Sequence, residues 1–177
     1  MTDEFTTEHT VQRLRVPLGR PYVHAIADFE RVVPVVDAKR FHSLDNWDDV
    51  VRLAEAEAPL GLMRYASIDV HPFIKASGTT RAGTEYLMGN HVFAERMYRH
   101  EPAAMLYAPL RLYIYADDSG QGVLVMDQPS ALFGSLGNLD VAAVGRELDD
   151  KVVGVLAALG VDVPASLAGS PRHAKTN

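Results

Sequence analysis

The chain has 177 residues, of which 47% are apolar and 23% charged; its net charge is -6 and it contains no cysteine. A chain of this length buries roughly 70% of the surface its unfolded form exposes, so it can hold one domain without covalent staples. The missing cysteines exclude a disulfide framework, a thiolate zinc site, a cysteine-ligated iron–sulfur cluster and a cysteine nucleophile.

The opening MTDEFTTEHT is acidic and polar, without the basic start and apolar core of a signal peptide, and no apolar run reaches the ~20 residues that span a bilayer. The expected location is cytoplasmic, with no membrane partner. Residues 11–160 hold 15 basic and 19 acidic side chains. Duplex-binding surfaces usually carry a basic excess, because phosphate neutralisation drives them, so no nucleic acid is expected. The expected layout is a flexible N-terminus over residues 1–10, a single domain over 11–160 and a flexible C-terminal tail over 161–177, where Pro, Gly, Ser and charge mix without an apolar period.

Val11 to Val16 alternates imperfectly and reads as a first strand, ended by Pro17 and Gly19. Pro21 suits the first turn of a helix, and Ile26, Phe29, Val32 and Val33 recur at helical spacing up to Pro34. Asp45 or Asn46 caps a second helix from Trp47 to Ala58, with Val50, Val51 and Leu53 inward. Leu60 to His71 reads as one long strand, with Arg64, Ala66 and Ile68 on one face and Tyr65, Ser67, Asp69 and His71 on the other.

Arg81 to Met88 is a further strand, and Asn90 caps a helix from His91 to His100. Leu110–Tyr115 and Gln121–Asp127 form an antiparallel hairpin across the turn Asp117-Asp118-Ser119-Gly120. A last helix, capped by Asn138 or Asp140, carries Val141, Val144, Leu148, Val152, Val155, Leu156 and Leu159 in helical period and closes at Gly160. This order implies the α+β class, an antiparallel β-sheet with helices packed on one face.

Five features recur together: Gly89-Asn90 opening a helix, the strand Leu106 to Arg111, the acidic hairpin at Asp117 and Asp118, Asp127 to Ser130, and Leu148 to Lys151. With them the chain resembles the bacterial and archaeal family of domains of unknown function numbered 302 (DUF302), most strongly over residues 84–160 and more weakly back to about residue 11. The resemblance implies a curved antiparallel sheet of the type first seen in the TATA-binding protein, and a homodimer. It implies no activity, since the family has no general assigned function. His91 stands where the family pattern leads one to expect proline.

Few residues form a chemical constellation. There is no phosphate loop, dinucleotide fingerprint, Gly-x-Ser-x-Gly elbow or His-x-x-x-His pair. Asp69 and His71, two apart on one strand, could form a carboxylate–imidazole pair or simply a solvated face. The Gly89–Asn90–His91 turn could present free helix N–H groups to a small anion, with Arg111 approaching and Met88, Met97 and Tyr107 as walls; the alternative is plain capping by Asn90.

Arg111, Tyr113 and Tyr115 share a strand face that suits either a ligand wall or a dimer surface. The internal methionines Met63, Met88, Met97, Met105 and Met126 suit core filling or an adaptable pocket. The leading expectation is a homodimeric small-ligand-binding or accessory protein without standard catalytic machinery. The rivals are an enzyme with a histidine-ligated cofactor such as haem on His71 or His91, with no metal site otherwise expected, and DNA binding through the sheet.

Overall fold

The computed structural model describes residues 6–168. Strand β1 (Arg13–Pro21) is followed by helices α1 (Tyr22–Val32), α2 (Ala38–His42) and α3 (Trp47–Glu57), strand β2 (Met63–Asp69) and the helical turn α4 (His71–Ile74). Then come β3 (Gly83–Gly89), α5 (His91–Tyr98), the hairpin β4 (Leu110–Ala116) and β5 (Gln121–Asp127), α6 (Pro129–Gly134), the long α7 (Leu139–Ala158) and the turn α8 (Ala165–Ala168). The five strands form one open sheet in the order β1-β5-β4-β3-β2, every neighbouring pair antiparallel. The expected α+β class is what the chain adopts.

Alternation within each strand separates the two faces of the sheet. Leu14, Val16 and Leu18 of β1, Tyr86 and Met88 of β3, Leu110, Leu112 and Ile114 of β4, and Leu124 and Met126 of β5 are buried in one cluster. Phe29 of α1 and Val141, Val144, Leu148, Val152, Val155 and Leu156 of α7 complete it, so the inner stripe expected of the last helix is the one buried. Asn138 caps that helix, accepting the N–H groups of Asp140 and Val141 at 3.0 and 3.2 Å. A second, smaller cluster joins Phe41, Ala54, Ala58 and Met63 where β2 begins.

Four expectations need correction. First, β1 runs through Pro17 and Gly19 to Pro21; it is an edge strand, where a residue without an N–H is tolerated, and its register shifts between Pro17 and Pro21. Second, β2 stops at Asp69, and His71 begins a helical turn with Pro72 at its start. Third, a bulge at Tyr65 breaks the alternation of β2: Arg64 pairs with Met88, but Ala66 pairs with Leu87 and Ser67 with Tyr86. The extra residue puts Arg64 on the same face as Ser67 and Asp69 rather than with Ala66 and Ile68. Fourth, the short helices α2 and α6 form in segments for which the sequence suggested no element.

The bulge serves a partly buried polar cluster. The Arg64 side chain, 12% exposed, donates from Nε to the carbonyl of Val33 at 2.7 Å and from Nη1 to Ser67 Oγ at 2.8 Å, and lies 3.4 Å from Glu30 Oε1. Tyr86 donates its hydroxyl to the same Glu30 oxygen at 3.1 Å. Burial, followed by the Glu30 charge, raises the Tyr86 phenol well above its ordinary value, so it stays a donor. A second polar lock joins two segments noted in the sequence. Asp149, fully buried, accepts the backbone N–H of Ser130 at 2.9 Å and Gln128 Nε2 at 2.7 Å. Asp-Gln-Pro-Ser and Leu-Asp-Asp-Lys are therefore the two halves of one α6–α7 contact.

Within the stretch read as a C-terminal tail, residues 161–168 include α8, and Leu167 is buried against the main cluster. Residues 1–5 and 169–177 of the expected flexible ends lie outside the described residues.

Candidate functional site

The turn between β3 and α5 is organised by Asn90, which is buried. Its Oδ1 accepts the N–H of Val92 at 2.9 Å, and its Nδ2 donates to the carbonyl of Gly61 at 3.1 Å. Asn90 thus caps the helix and ties it to the loop before β2 with the two ends of one amide.

His91 follows, half-buried. Its ring stacks on Phe41 at 4.1 Å between centroids, and Nδ1 lies 3.2 Å from the Tyr65 hydroxyl. Burial, with the nearby His42 as a smaller cause, lowers the His91 pKa and favours the neutral imidazole. Burial also pushes the Tyr65 phenol up to about 12. The two rings form a neutral hydrogen-bonded pair. A proline in place of His91 would suit the first helical turn but would offer no ring nitrogen to Tyr65.

Beside this pair lies a cavity of about 200 Å³. Phe93, Met97, Met105, Pro109, Phe133 and Leu148 supply most of its walls, and Gly89, Asn90, His91 and Tyr65 close one side. Among the described residues, no lysine or arginine lines it. Its size lies above the ~150 Å³ of an apolar cavity that holds benzene and below the ~300 Å³ at which drug-sized pockets begin. Such a space takes about one ring and is too small for a haem macrocycle. On the far side, Phe93 is flanked by the Arg96 guanidinium and the Lys151 ammonium, 5.6 and 5.8 Å from its ring centre.

The remaining sequence candidates are placed apart from this cavity. Arg111 is on the outer face of the sheet, its side chain 78% exposed and paired with Glu85 at 2.9 Å. Tyr113 stacks on Tyr115 on that same face and lies directly over Gly83, where a Cβ would collide with it. Tyr107 packs edge-on to Phe133 but is not among the cavity's lining residues, and neither is the fully buried Met88. Met97 and Met105 do line it, whereas Met63 and Met126 fill core.

Asp69 accepts the backbone N–H of His71 at 3.0 Å, so its carboxylate closes the turn after β2. Nδ1 of His71 is buried without a hydrogen-bond partner among the described residues. Among the described residues, no group of three or more His, Asp or Glu side chains is arranged to hold a metal ion. No helix among them is long and apolar enough to cross a membrane.

Sequence reasoning found one side of the cavity, through Gly89, Asn90, His91 and Met97. It missed Tyr65 as the partner of His91. The two residues are 26 positions apart, and the bulge that sets Tyr65's place carries no glycine or proline to announce it.

The family described as "Domain of unknown function DUF302" matches residues 40–159. Among solved structures, the chain is similar to the "Crystal structure of uncharacterized conserved protein DUF302 from Bacillus stearothermophilus". The TM-score is 0.60 and the identity 11%, with 83% of this chain and 97% of that one covered; at that identity the likeness is one of fold. No curated protein matches the chain. With most of its length matched, including the helix-opening Gly-Asn pair and both halves of the α6–α7 contact, the chain belongs to the DUF302 family.

Proposed function

We propose that this protein binds a small molecule and works as a homodimer, without catalytic machinery of a standard kind. The observation that carries the reading is the apolar cavity under α5, which has a single polar side at His91 and Tyr65. A concave, mostly apolar space with a few polar groups is the usual form of a small-ligand site.

The dimer reading draws on the outer face of the sheet, which no helix among the described residues covers. It carries Arg13 paired with Asp127, Arg111 paired with Glu85, and the Tyr113–Tyr115 stack. Ile68 is exposed on the same face, with Phe73 and Ile74 exposed just beyond the end of β2. Tyr and Arg are enriched at protein interfaces, and charges of both signs on one face allow a second copy to pair with it.

Native mass spectrometry of the protein purified from its own cells tests both parts. The expected result is a particle of twice the 19.4 kDa chain mass that releases a small molecule on denaturation. A particle of single mass at micromolar concentration overturns the dimer. Protein that carries no small molecule, and that no member of a fragment library stabilises, overturns the ligand site. A specific dimer should bury at least ~1,000 Å².

A further inference from the structure

We infer that the cavity under α5 selects an uncharged ligand of about one ring bearing a single hydroxyl, with Tyr65 and His91 as the hydroxyl's partners; this rests on reading that cavity as the ligand site. The polar groups left free in the lining decide what it can hold. Asn90 lines the cavity, but its oxygen is engaged by Val92 N–H and its nitrogen by the Gly61 carbonyl. Gly89 is held in the sheet opposite Met63. Of the polar side chains in the lining, that leaves Tyr65 and His91.

Their mutual hydrogen bond uses one donor and one acceptor. If the Tyr65 hydroxyl donates to Nδ1, Nε2–H of His91 remains as a donor and the phenol oxygen as an acceptor. If Nδ1–H donates to the phenol oxygen, Nε2 remains as an acceptor and the phenol O–H as a donor. Either tautomer leaves the pair one donor and one acceptor. A hydroxyl group, itself one donor and an acceptor, matches that remainder.

Charge is selected against by the same walls. The lining holds no lysine or arginine among the described residues, Arg111 lies on the other face of the sheet paired with Glu85, and burial favours the neutral imidazole. A carboxylate entering this space would lose its water and meet no counter-charge. The placement of Arg111 therefore turns the reading of the Gly-Asn-His turn from a small anion to a neutral ligand. The volume, about 200 Å³, sets the size at one ring.

Three probes of one shape separate the possibilities: phenol, toluene and benzoate, titrated into the full chain at pH 7.5 and followed by NMR. Phenol is expected to bind about two- to tenfold more tightly than toluene, the fold-change one net hydrogen bond is worth, and benzoate to bind more weakly than either. In Tyr65→Phe the preference for phenol over toluene should fall to about one, while toluene binding persists. His91→Phe, which keeps a ring against Phe41 and removes both nitrogens, reads the same preference should Tyr65→Phe fail to fold. Ala94→Leu, on the α5 wall, should abolish binding of all three.

If toluene binds as well as phenol, if benzoate binds as well as phenol, or if Tyr65→Phe keeps the preference, the selectivity inference is wrong while the site reading stands. If no probe binds the wild type, or if Ala94→Leu binds unchanged, the cavity is not the site and both fall.

Discussion

Strand β4 puts two different environments on one run of six residues. Leu110, Leu112 and Ile114 are buried within the main core, at 3% exposure or less. Arg111, Tyr113 and Tyr115, interleaved with them, form the uncovered outer face, where Arg111 is held only by an ion pair with Glu85. All six residues pair with β3, and those from Leu112 onward with β5 as well, so membership of the sheet does not distinguish the two sets. The difference lies in what covers each face. Helices α1 and α7 contribute to the inner cluster, and no helix among the described residues covers the outer face. One set of alternating residues therefore serves stability, and its neighbours face outward.

The largest test of that contrast is Leu112→Ala, expected to cost about 2–5 kcal/mol in urea unfolding, with Leu148→Ala on the facing helix in the same range. A cost below about 0.5 kcal/mol, ordinary for a surface site, would mean the inner face is not the packed one. Next is Asp149→Ala. It strands the Ser130 N–H and the Gln128 amide in a buried place, so a loss of about 1–3 kcal/mol is expected, read as a lower denaturation midpoint with an unchanged slope. An unchanged midpoint would show that the α6–α7 contact stands on packing alone.

Asn90→Ala removes a cap and a tie to Gly61, and about 1 kcal/mol is expected. The comparison cap, Asn138→Ala, lacks that second tie and should cost less.

Two smaller effects sharpen the boundary between the faces. The folded pKa of His91 is depressed below its unfolded value of about 6.5, so the unfolded chain takes up a proton before the folded one does. The stability that His91 contributes is thus present above about pH 6.5 and declines as pH falls through its folded pKa. Wild type should lose more stability between pH 7 and pH 5 than His91→Phe does; equal slopes would show that His91 titrates as a solvated group. Arg111→Ala should change the stability of a single copy by no more than about 0.5 kcal/mol, because an exposed ion pair is worth little. Under the homodimer proposal it should nevertheless weaken association in light scattering. Unaltered association would move the interface off that part of the sheet.

Much of this architecture was legible in the residues. The hairpin of β4 and β5, the Asn90 and Asn138 caps and the stripe of α7 follow from short-range rules. Apolar alternation needs a covered face, an Asn before a helical period finds free N–H groups, and a period of 3.6 aligns Val144, Leu148, Val152 and Val155. Helix α6 was not legible. It has six residues and no capping side-chain bond, and it is held in place by contacts from α7: the Asp149 carboxylate on Ser130, and Gly145, where a Cβ would lie 3.0 Å from Phe133. Helix α2, five residues with Phe41 alone buried, is too short to show a period.

By itself, then, the sequence determined the class of fold, the inner face of β4, the starts of α3, α5 and α7 and the family signature, because each depends mostly on neighbours within a few residues along the chain. The tertiary structure alone decided three things: that Arg64 turns inward to Glu30, that Tyr65 meets His91, and that Arg111 stays on the far side of the sheet from the Gly-Asn-His turn. Each depends on register between distant strands. In a sheet of period two, one bulged residue reverses the face of everything beyond it, and Tyr65, at that bulge, lines the cavity beside His91.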